Sequence, residues 1–331
     1  MIPFRPLGLG EIYTAAFKII KGNPASTIGA ALIVALIALI PTTPLGVWVA
    51  SQASSDFLDP TAPVGDGTVA DAILTTTGQY IPTIAGSLST VALAGFIAYV
   101  TGQAVLGRKV KLPETWRGAR GHLWRVIAVS LLISTLMFAV VAAFITPGIV
   151  LIIQGALRED GTLILIGVLT LVGLILLLIP VALWLWTRLA FAAPAVVLER
   201  AGIGRAMRRS WQLTRFPGFW RVLGIRLLTT MVISMVAQVL AMPLGFVMFA
   251  MIALGNADAG TIVSTQVIVS AFVTLVAAAL TTPATATVDT LLYVDSRIRV
   301  DALDVQLIQA VEGRAPLPWE AALEPSQHPT G

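Results

Sequence analysis

The chain has 331 residues, of which 57% are apolar and only 11% charged, with a mean hydropathy of +0.89. That is less than half the charge of a soluble chain, about 25%, and it argues against a soluble enzyme. The absence of cysteine and the presence of only two histidines exclude a disulfide framework, a Cys/His zinc site and a c-type haem attachment, while a net charge of +4 makes the placement of basic residues decisive for any partner.

Stretches without Asp, Glu, Lys or Arg run over 22–55, 72–107, 126–157, 161–187, 227–257 and 259–288. Each exceeds the roughly 20 residues that cross about 30 Å of hydrocarbon. They predict six transmembrane helices near 25–48, 81–106, 126–152, 162–187, 222–250 and 262–288. The first apolar run exceeds the roughly 7–15 residues of a secretory signal, so it is expected to be retained.

Basic residues fall on one side of these spans. Arg5, Lys18 and Lys21 precede the first, and Arg108, Lys109, Lys111, Arg117, Arg120 and Arg125 lie between the second and third. Arg200, Arg205, Arg208, Arg209, Arg215, Arg221 and Arg226 lie between the fourth and fifth, and Arg297, Arg299 and Arg314 follow the sixth. The alternate loops carry Arg158 against Asp56, Asp59, Asp66, Asp71, Glu159, Asp160 and Asp258. The positive-inside rule then predicts a bacterial plasma-membrane protein with both termini cytoplasmic. Nucleic acid is not expected as a partner; anionic lipid of the cytoplasmic leaflet is, because it attracts each nearby Lys or Arg by about 1 kcal/mol.

Each odd-numbered span is preceded by a segment of helical periodicity. In the first, Leu9, Ile12, Tyr13, Ala16, Phe17 and Ile20 share one face. The second runs from Pro113 through Trp116, Ala119 and Leu123, with Arg117 and Arg120 on its polar side. The third sets Ile203, Met207 and Trp211 against Arg205, Arg208, Arg209 and Arg215. Such helices either lie in the headgroup plane or pack onto the bundle as connectors. Arg117, Arg120, Arg205, Arg208, Arg209 and Arg215 are the candidate contacts to anionic lipid.

An internal repeat links the segments. Trp124-Arg125-Val126-Ile127 returns as Trp220-Arg221-Val222-Leu223, and at the same offset Leu131-Leu132 maps to Leu227-Leu228, Pro147 to Pro243 and Glu199 to Asp295. The expected fold is all-α: a polytopic membrane protein of six transmembrane helices arranged as three hairpin repeats, each preceded by a cytoplasmic amphipathic helix. The membrane domain spans 1–310, with pseudo-repeats near 7–106, 107–200 and 201–305, and 311–331 forms a disordered tail rich in proline. Pro44, Pro147 and Pro243, towards the outer ends of the odd spans, are expected to kink or end their helices.

Arg188 interrupts an apolar stretch, 161–198, that as one helix would measure about 57 Å. The helix is therefore expected to leave the membrane core near Arg188, with Pro194 in the turn beyond it. Arg188 either snorkels or pairs with Asp289 at the edge of the sixth span. After that span, Asp295/Arg299 and Arg297/Asp301 stand at i, i+4. No catalytic, cofactor-binding or metal-binding set is found: His122 and His328 sit away from any intramembrane serine, no phosphate loop is present, and the acidic 56–71 segment fits no EF-hand.

Arg5-Pro6-Leu7-Gly8-Leu9-Gly10-Glu11-Ile12, Leu198-Glu199-Arg200-Ala201-Gly202, Arg209-Ser210-Trp211, Phe219-Trp220-Arg221 and Leu292-Tyr293-Val294-Asp295 with Arg297 and Arg299 resemble, in their order, one bacterial family. Its members are integral membrane proteins labelled as the membrane domain of glycerophosphoryl diester phosphodiesterase, and the likeness spans roughly residues 4–305. In that family hydrolysis belongs to a separate soluble barrel, which needs about 250 residues, so the resemblance implies a membrane part without phosphodiesterase activity and supplies no catalytic residues. The sequence therefore points to a non-enzymatic inner-membrane protein that organises lipid or a protein partner at the envelope. The alternative is a small permease or lipid transporter with a site between proline-broken odd-numbered spans.

Overall fold

The computed structural model describes residues 6–53, 66–105, 112–215, 218–253 and 259–301. Helix α1 spans Leu9–Gly22 and opens with the Gly8 N–H donating to Glu11 Oε2 at 2.7 Å, the backbone half of a capping box. The chain turns at Asn23 and Pro24, passes through a π-helical turn at Ala25–Gly29 and enters α2, Ala30–Ala50. There follow α3 (Asp66–Val105), α4 (Leu112–Leu157), α5 (Gly161–Arg188), α6 (Ala192–Leu198), α7 (Ile203–Leu213), α8 (Gly218–Ala253) and α9 (Ala259–Asp301). No strand occurs among the described residues.

Six helical segments are long and apolar enough to span a membrane: Ala25–Ala50, Ile73–Val105, Trp124–Leu157, Gly161–Leu198, Gly218–Val247 and Gly260–Asp301. The chain is a multi-pass membrane protein. Much of the surface of α4, α5 and α8 is large and apolar, with Phe138, Leu169, Leu176, Met235 and Phe246 all exposed. In water such a surface would aggregate; in a bilayer it is the face that acyl chains cover.

Two expectations about helix ends are revised. The second amphipathic segment is not a separate helix, because α4 runs unbroken from Leu112 to Leu157. At about 1.5 Å per residue it is about 69 Å long, so its first turns extend beyond any bilayer core. The backbone of Arg117 and Arg120 belongs to these turns; their side chains, like the 311–331 tail, lie outside the described residues. Pro44, Pro147 and Pro243 do not end their helices either, since α2, α4 and α8 continue past them. Pro82, Pro180 and Pro283 likewise lie inside α3, α5 and α9, so proline does not set the odd-numbered spans apart. Neighbouring side chains can satisfy the one carbonyl that each proline frees in a membrane helix.

The chain divides into two compact units. One comprises Leu7–Leu123 and Leu227–Leu291. Its core is built where α2 and α3 run side by side: Ala30 and Ala31 meet Leu93, Phe96, Ile97 and Val100, with Ala286 of α9. Small residues permit the approach, for a Cβ on Gly46 would stand 3.1 Å from Pro82 Cδ and one on Gly78 would stand 2.6 Å from Ala50 Cβ. On α1 the buried residues are Ile12, Ala15, Ala16 and Ile19, and the Tyr13 hydroxyl shares a 2.8 Å hydrogen bond with that of Thr229. The buried face only partly coincides with the apolar face read from the sequence: Ile12 and Ala16 are buried, whereas Leu9 and Phe17 are exposed and Ala15 and Ile19 are buried in their place.

The other unit contains Trp124–Arg226 and the chain from Leu292. Its hairpin, α4–α5, closes in three residues. Glu159 adopts a left-handed φ of 55°, and the Asp160 carboxylate caps α5 by accepting from the Thr162 and Leu163 N–H groups at 2.9 and 3.2 Å. Glycines then hold one antiparallel register, 155 with 164, 152 with 167 and 148 with 171. An added Cβ would stand 2.7 Å from Ile164 N at Gly155, 2.8 Å from Ile152 N at Gly167 and 2.7 Å from Leu171 Cβ at Gly148. Real Cβ atoms do not come so close, so the two backbones touch only because these residues lack one.

Substituting Gly155 or Gly167 with Leu is expected to lower stability by about 1–3 kcal/mol through overpacking, while Gly173→Ala, where no atom stands within 4 Å, is tolerated. Thermal unfolding in detergent compares the three variants, and equal melting temperatures would refute the register.

Candidate functional site

The only charged residue between 161 and 198 ends α5, as the sequence predicts. Arg188 is 8% exposed, and its Nη1 donates to the Thr214 carbonyl at 2.9 Å and the Trp211 carbonyl at 3.3 Å. These oxygens belong to the last turn and C-cap of α7, where the Thr214 and Arg215 N–H groups go to the Ser210 and Gln212 carbonyls instead. A cation there also meets the negative end of the helix dipole. The guanidinium carbon lies 5.8, 5.3 and 5.7 Å from the ring centroids of Trp184, Trp211 and Phe219, so the charge sits among π-faces. Trp184 and Trp211 meet edge to face at 5.1 Å.

The backbone beyond Arg188 docks α7 from the same side. The Ser210 hydroxyl donates to the Arg188 carbonyl at 2.7 Å and accepts from the Phe191 N–H at 3.0 Å, while the Thr214 hydroxyl donates to Ser210 O at 2.8 Å. Pro194 lies in the first turn of the short α6, where its missing N–H costs nothing. The chain then reverses at Arg200, whose φ of 52° is in the left-handed region. These contacts decide which face of α7 is buried: Ala206, Ser210 and Leu213, not the Ile203, Met207 and Trp211 stripe. Ile203 and Trp211 are about one-third exposed at the margins of the dock, the Trp211 ring lying against Trp184 and Arg188, while Arg205, Arg208 and Arg215 are exposed. Periodicity alone does not name this face, because hydrogen bonds to Ser210 and the small size of Ala206 govern the dock.

Arg209 flanks the buried face on its other side. Its Nε donates to Glu199 Oε1 at 3.1 Å and its Nη2 to Asp301 Oδ2. Burial opposes its charge, but the Glu199 and Asp301 carboxylates outweigh that penalty and raise its pKa above the ordinary arginine value. Glu199 also accepts the hydroxyl of Tyr293, a fully buried residue whose ring stands 5.7 Å from that of Phe191. Arg297 lies 3.5 Å from Glu199 and donates to Asp301 at 3.2 Å. A parallel set is built on Asp295, which is wholly buried and accepts from Arg221 and, at 3.0 Å, from Arg299. Both i, i+4 pairs expected after the sixth span are formed. Arg226 completes the cluster by donating to Trp186 O at 2.7 Å with its charge 3.9 Å from that ring.

The arrangement binds an amphipathic helix to the ends of α5 and α9 through neutralised arginines and leaves other arginines outward. Of the candidate lipid contacts, Arg205, Arg208 and Arg215 face out, and Arg209 is held by two carboxylates. Each of Glu199, Ser210 and Tyr293 is an ordinary polar residue in sequence; the motifs 198–202, 209–211 and 292–295, and for Glu199 its repeat counterpart Asp295, were their only signal. Asp289 belongs to the first unit, where it is half-buried.

The network falls entirely within the region that matches a known family. Residues 163–302 match the family model for the membrane domain of glycerophosphoryl diester phosphodiesterase. The resemblance carried by the motifs from Leu198 to Arg299 is thereby shown, and the amino-terminal motif Arg5–Ile12 lies outside the matched segment. Comparisons with curated proteins and with solved structures found no match.

Elsewhere in the second unit, a groove of about 680 Å³ runs beside Pro147, lined by Ala142, Ala143, Thr146, Val150, Leu151 and Gln154. It lies along one helix, α4, and is open on its outer side.

Replacing Arg188 with Leu should release α7. The loss of charge-assisted bonds is expected to cost about 2–3 kcal/mol and to speed tryptic cleavage after Arg205 and Arg208, whereas Gln212→Ala on the outer face leaves both unchanged. Unaltered cleavage in the Leu variant would show that Arg188 does not hold the dock.

Proposed function

We propose that the chain is a non-enzymatic bacterial plasma-membrane protein, both termini cytoplasmic, that engages anionic lipid through its basic helices and organises lipid or a protein partner at the envelope. The supporting observation is the way α7 is held: one face docked by Arg188, Ser210 and Arg209, and the other presenting Arg205, Arg208 and Arg215. A face of exposed arginines suits the anionic headgroups of a membrane surface. Docking removes the entropy cost of folding the helix at the surface, which a free peptide would bear on binding. Trp124 and Trp220, exposed by 76% and 66% at the starts of their spans, fit the aromatic layer of the same boundary.

The repeat proposed from sequence gains a second line of support. Val126 and Val129 are buried while Leu131 and Leu132 are exposed, and Val222, Ile225, Leu227 and Leu228 reproduce that order at the same offset. The transporter reading has one observation nearest to it, the groove beside Pro147. Its alanine, valine and leucine lining suits an acyl chain rather than a polar solute.

Arg188 is held within its own unit by carbonyls and rings, so a carboxylate is not required to keep it there. Its pairing with Asp289 remains a proposal: stability restored by Arg188→Asp together with Asp289→Arg, after loss in each single variant, supports it, and failure of the exchange removes it.

The lipid reading is tested on the full chain in nanodiscs. Substituting Arg205, Arg208 and Arg215 with Gln is expected to reduce retention of phosphatidylglycerol or cardiolipin by about fivefold per residue, the equivalent of about 1 kcal/mol each, with melting unchanged. Undiminished anionic lipid, quantified by mass spectrometry, would eliminate this surface as the binding site.

A further inference from the structure

A single amide interrupts the exposed surface of α8. Gln238 stands twelve residues beyond Arg226, about 18 Å along the helix axis. That places it near the middle of a hydrocarbon core about 30 Å thick. Its side chain is exposed and makes no hydrogen bond. The neighbours that share its face at helical spacing are Met231, Ser234, Met235, Met242, Gly245 and Phe249, all exposed as well. A Cβ added to Gly245 would meet nothing within 4 Å, so the glycine serves no contact inside the chain.

An amide in hydrocarbon loses the hydrogen bonds it makes in water, and lipid tails offer none in return. The helix face around it has the other properties of a packing surface. Glycine and serine allow backbones to approach, and methionine adapts its shape to a facing helix. What identifies the partner is depth. Every copy inserted in the same orientation presents Gln238 at the same level, and a carboxamide carries both donor and acceptor, so two copies related by a twofold axis along the membrane normal can satisfy each other.

We propose that α8 is the interface of a homodimer, in which the Gln238 side chains of two copies hydrogen-bond to each other at mid-membrane between the Met231 and Met242 contacts. This inference rests on α8 alone and does not depend on lipid binding by α7.

The natural absence of cysteine makes the test direct. Met231→Cys and Met242→Cys place a single thiol on the proposed face, and Val236→Cys and Val247→Cys place one on the opposite, also exposed face. The full chain, reconstituted in phosphatidylethanolamine and phosphatidylglycerol vesicles at high lipid-to-protein ratio, is oxidised with copper phenanthroline. The expected result is disulfide-linked dimer from the first pair exceeding that from the second by about fivefold or more, falling to the level of the second when Gln238→Leu is added and persisting with Gln238→Asn. Leucine is compatible with insertion, and the comparison of the two faces retains its meaning in the natural Gln238 background if the Leu variant fails to accumulate. Equal cross-linking from both faces, a chain that stays monomeric, or a dimer indifferent to Gln238→Leu would overturn the proposal.

Discussion

A guanidinium cannot remain in hydrocarbon without partners, and the organisation of the second unit follows from how Arg188 meets that constraint. It stands at the end of a helix that is otherwise free of charge, and its partners are the carbonyls that α7 cannot satisfy for itself. One contact therefore resolves two deficits, a buried cation and helix-end carbonyls that lack a backbone donor. The aromatic rings around it exclude water while offering electron density to the charge. Because Arg188 also supplies the carbonyl that Ser210 binds, the end of α5 and the middle of α7 are fixed together.

The same economy appears in the acidic residues. Among the described residues on this side, Glu199, Asp295 and Asp301 are each shared by two arginines, and no carboxylate of the three faces solvent alone. Isolated surface ion pairs contribute little, but a buried carboxylate with a single partner removed is strongly destabilising. Asp295 is in that position, with Arg221 and Arg299 converging on one oxygen. The network thus fixes which arginines are structural, and leaves Arg205, Arg208 and Arg215 exposed.

Helix α7 shows how far periodicity carries. Its amphipathic character was legible from Ile203, Met207 and Trp211 set against arginines. Which stripe would be buried was not, because the dock selects for a hydroxyl at 210 and a methyl at 206 rather than for the largest apolar surface. On α1 the buried face likewise coincides only partly with the apolar one, taking in Ala15 and Ile19 and leaving out Leu9 and Phe17. In water, exposing those larger side chains would be penalised. A membrane boundary would remove that penalty, and with it the rule that the largest apolar side chains name the protein-facing side.

Charge along the chain settled the number of spans and the i, i+4 pairs after the sixth, and marked Arg188, where α5 ends. Each depends on local rules: the thickness of hydrocarbon, the cost of charge within it and the pitch of a helix. Tertiary structure decided the continuity of α4, the passage of the helices through their prolines, the glycine register of α4 and α5, and the meeting of Arg188, Glu199, Arg209 and Tyr293. These are relations between segments distant in sequence, and a polar residue reveals nothing of its partner until the chain has brought the two together.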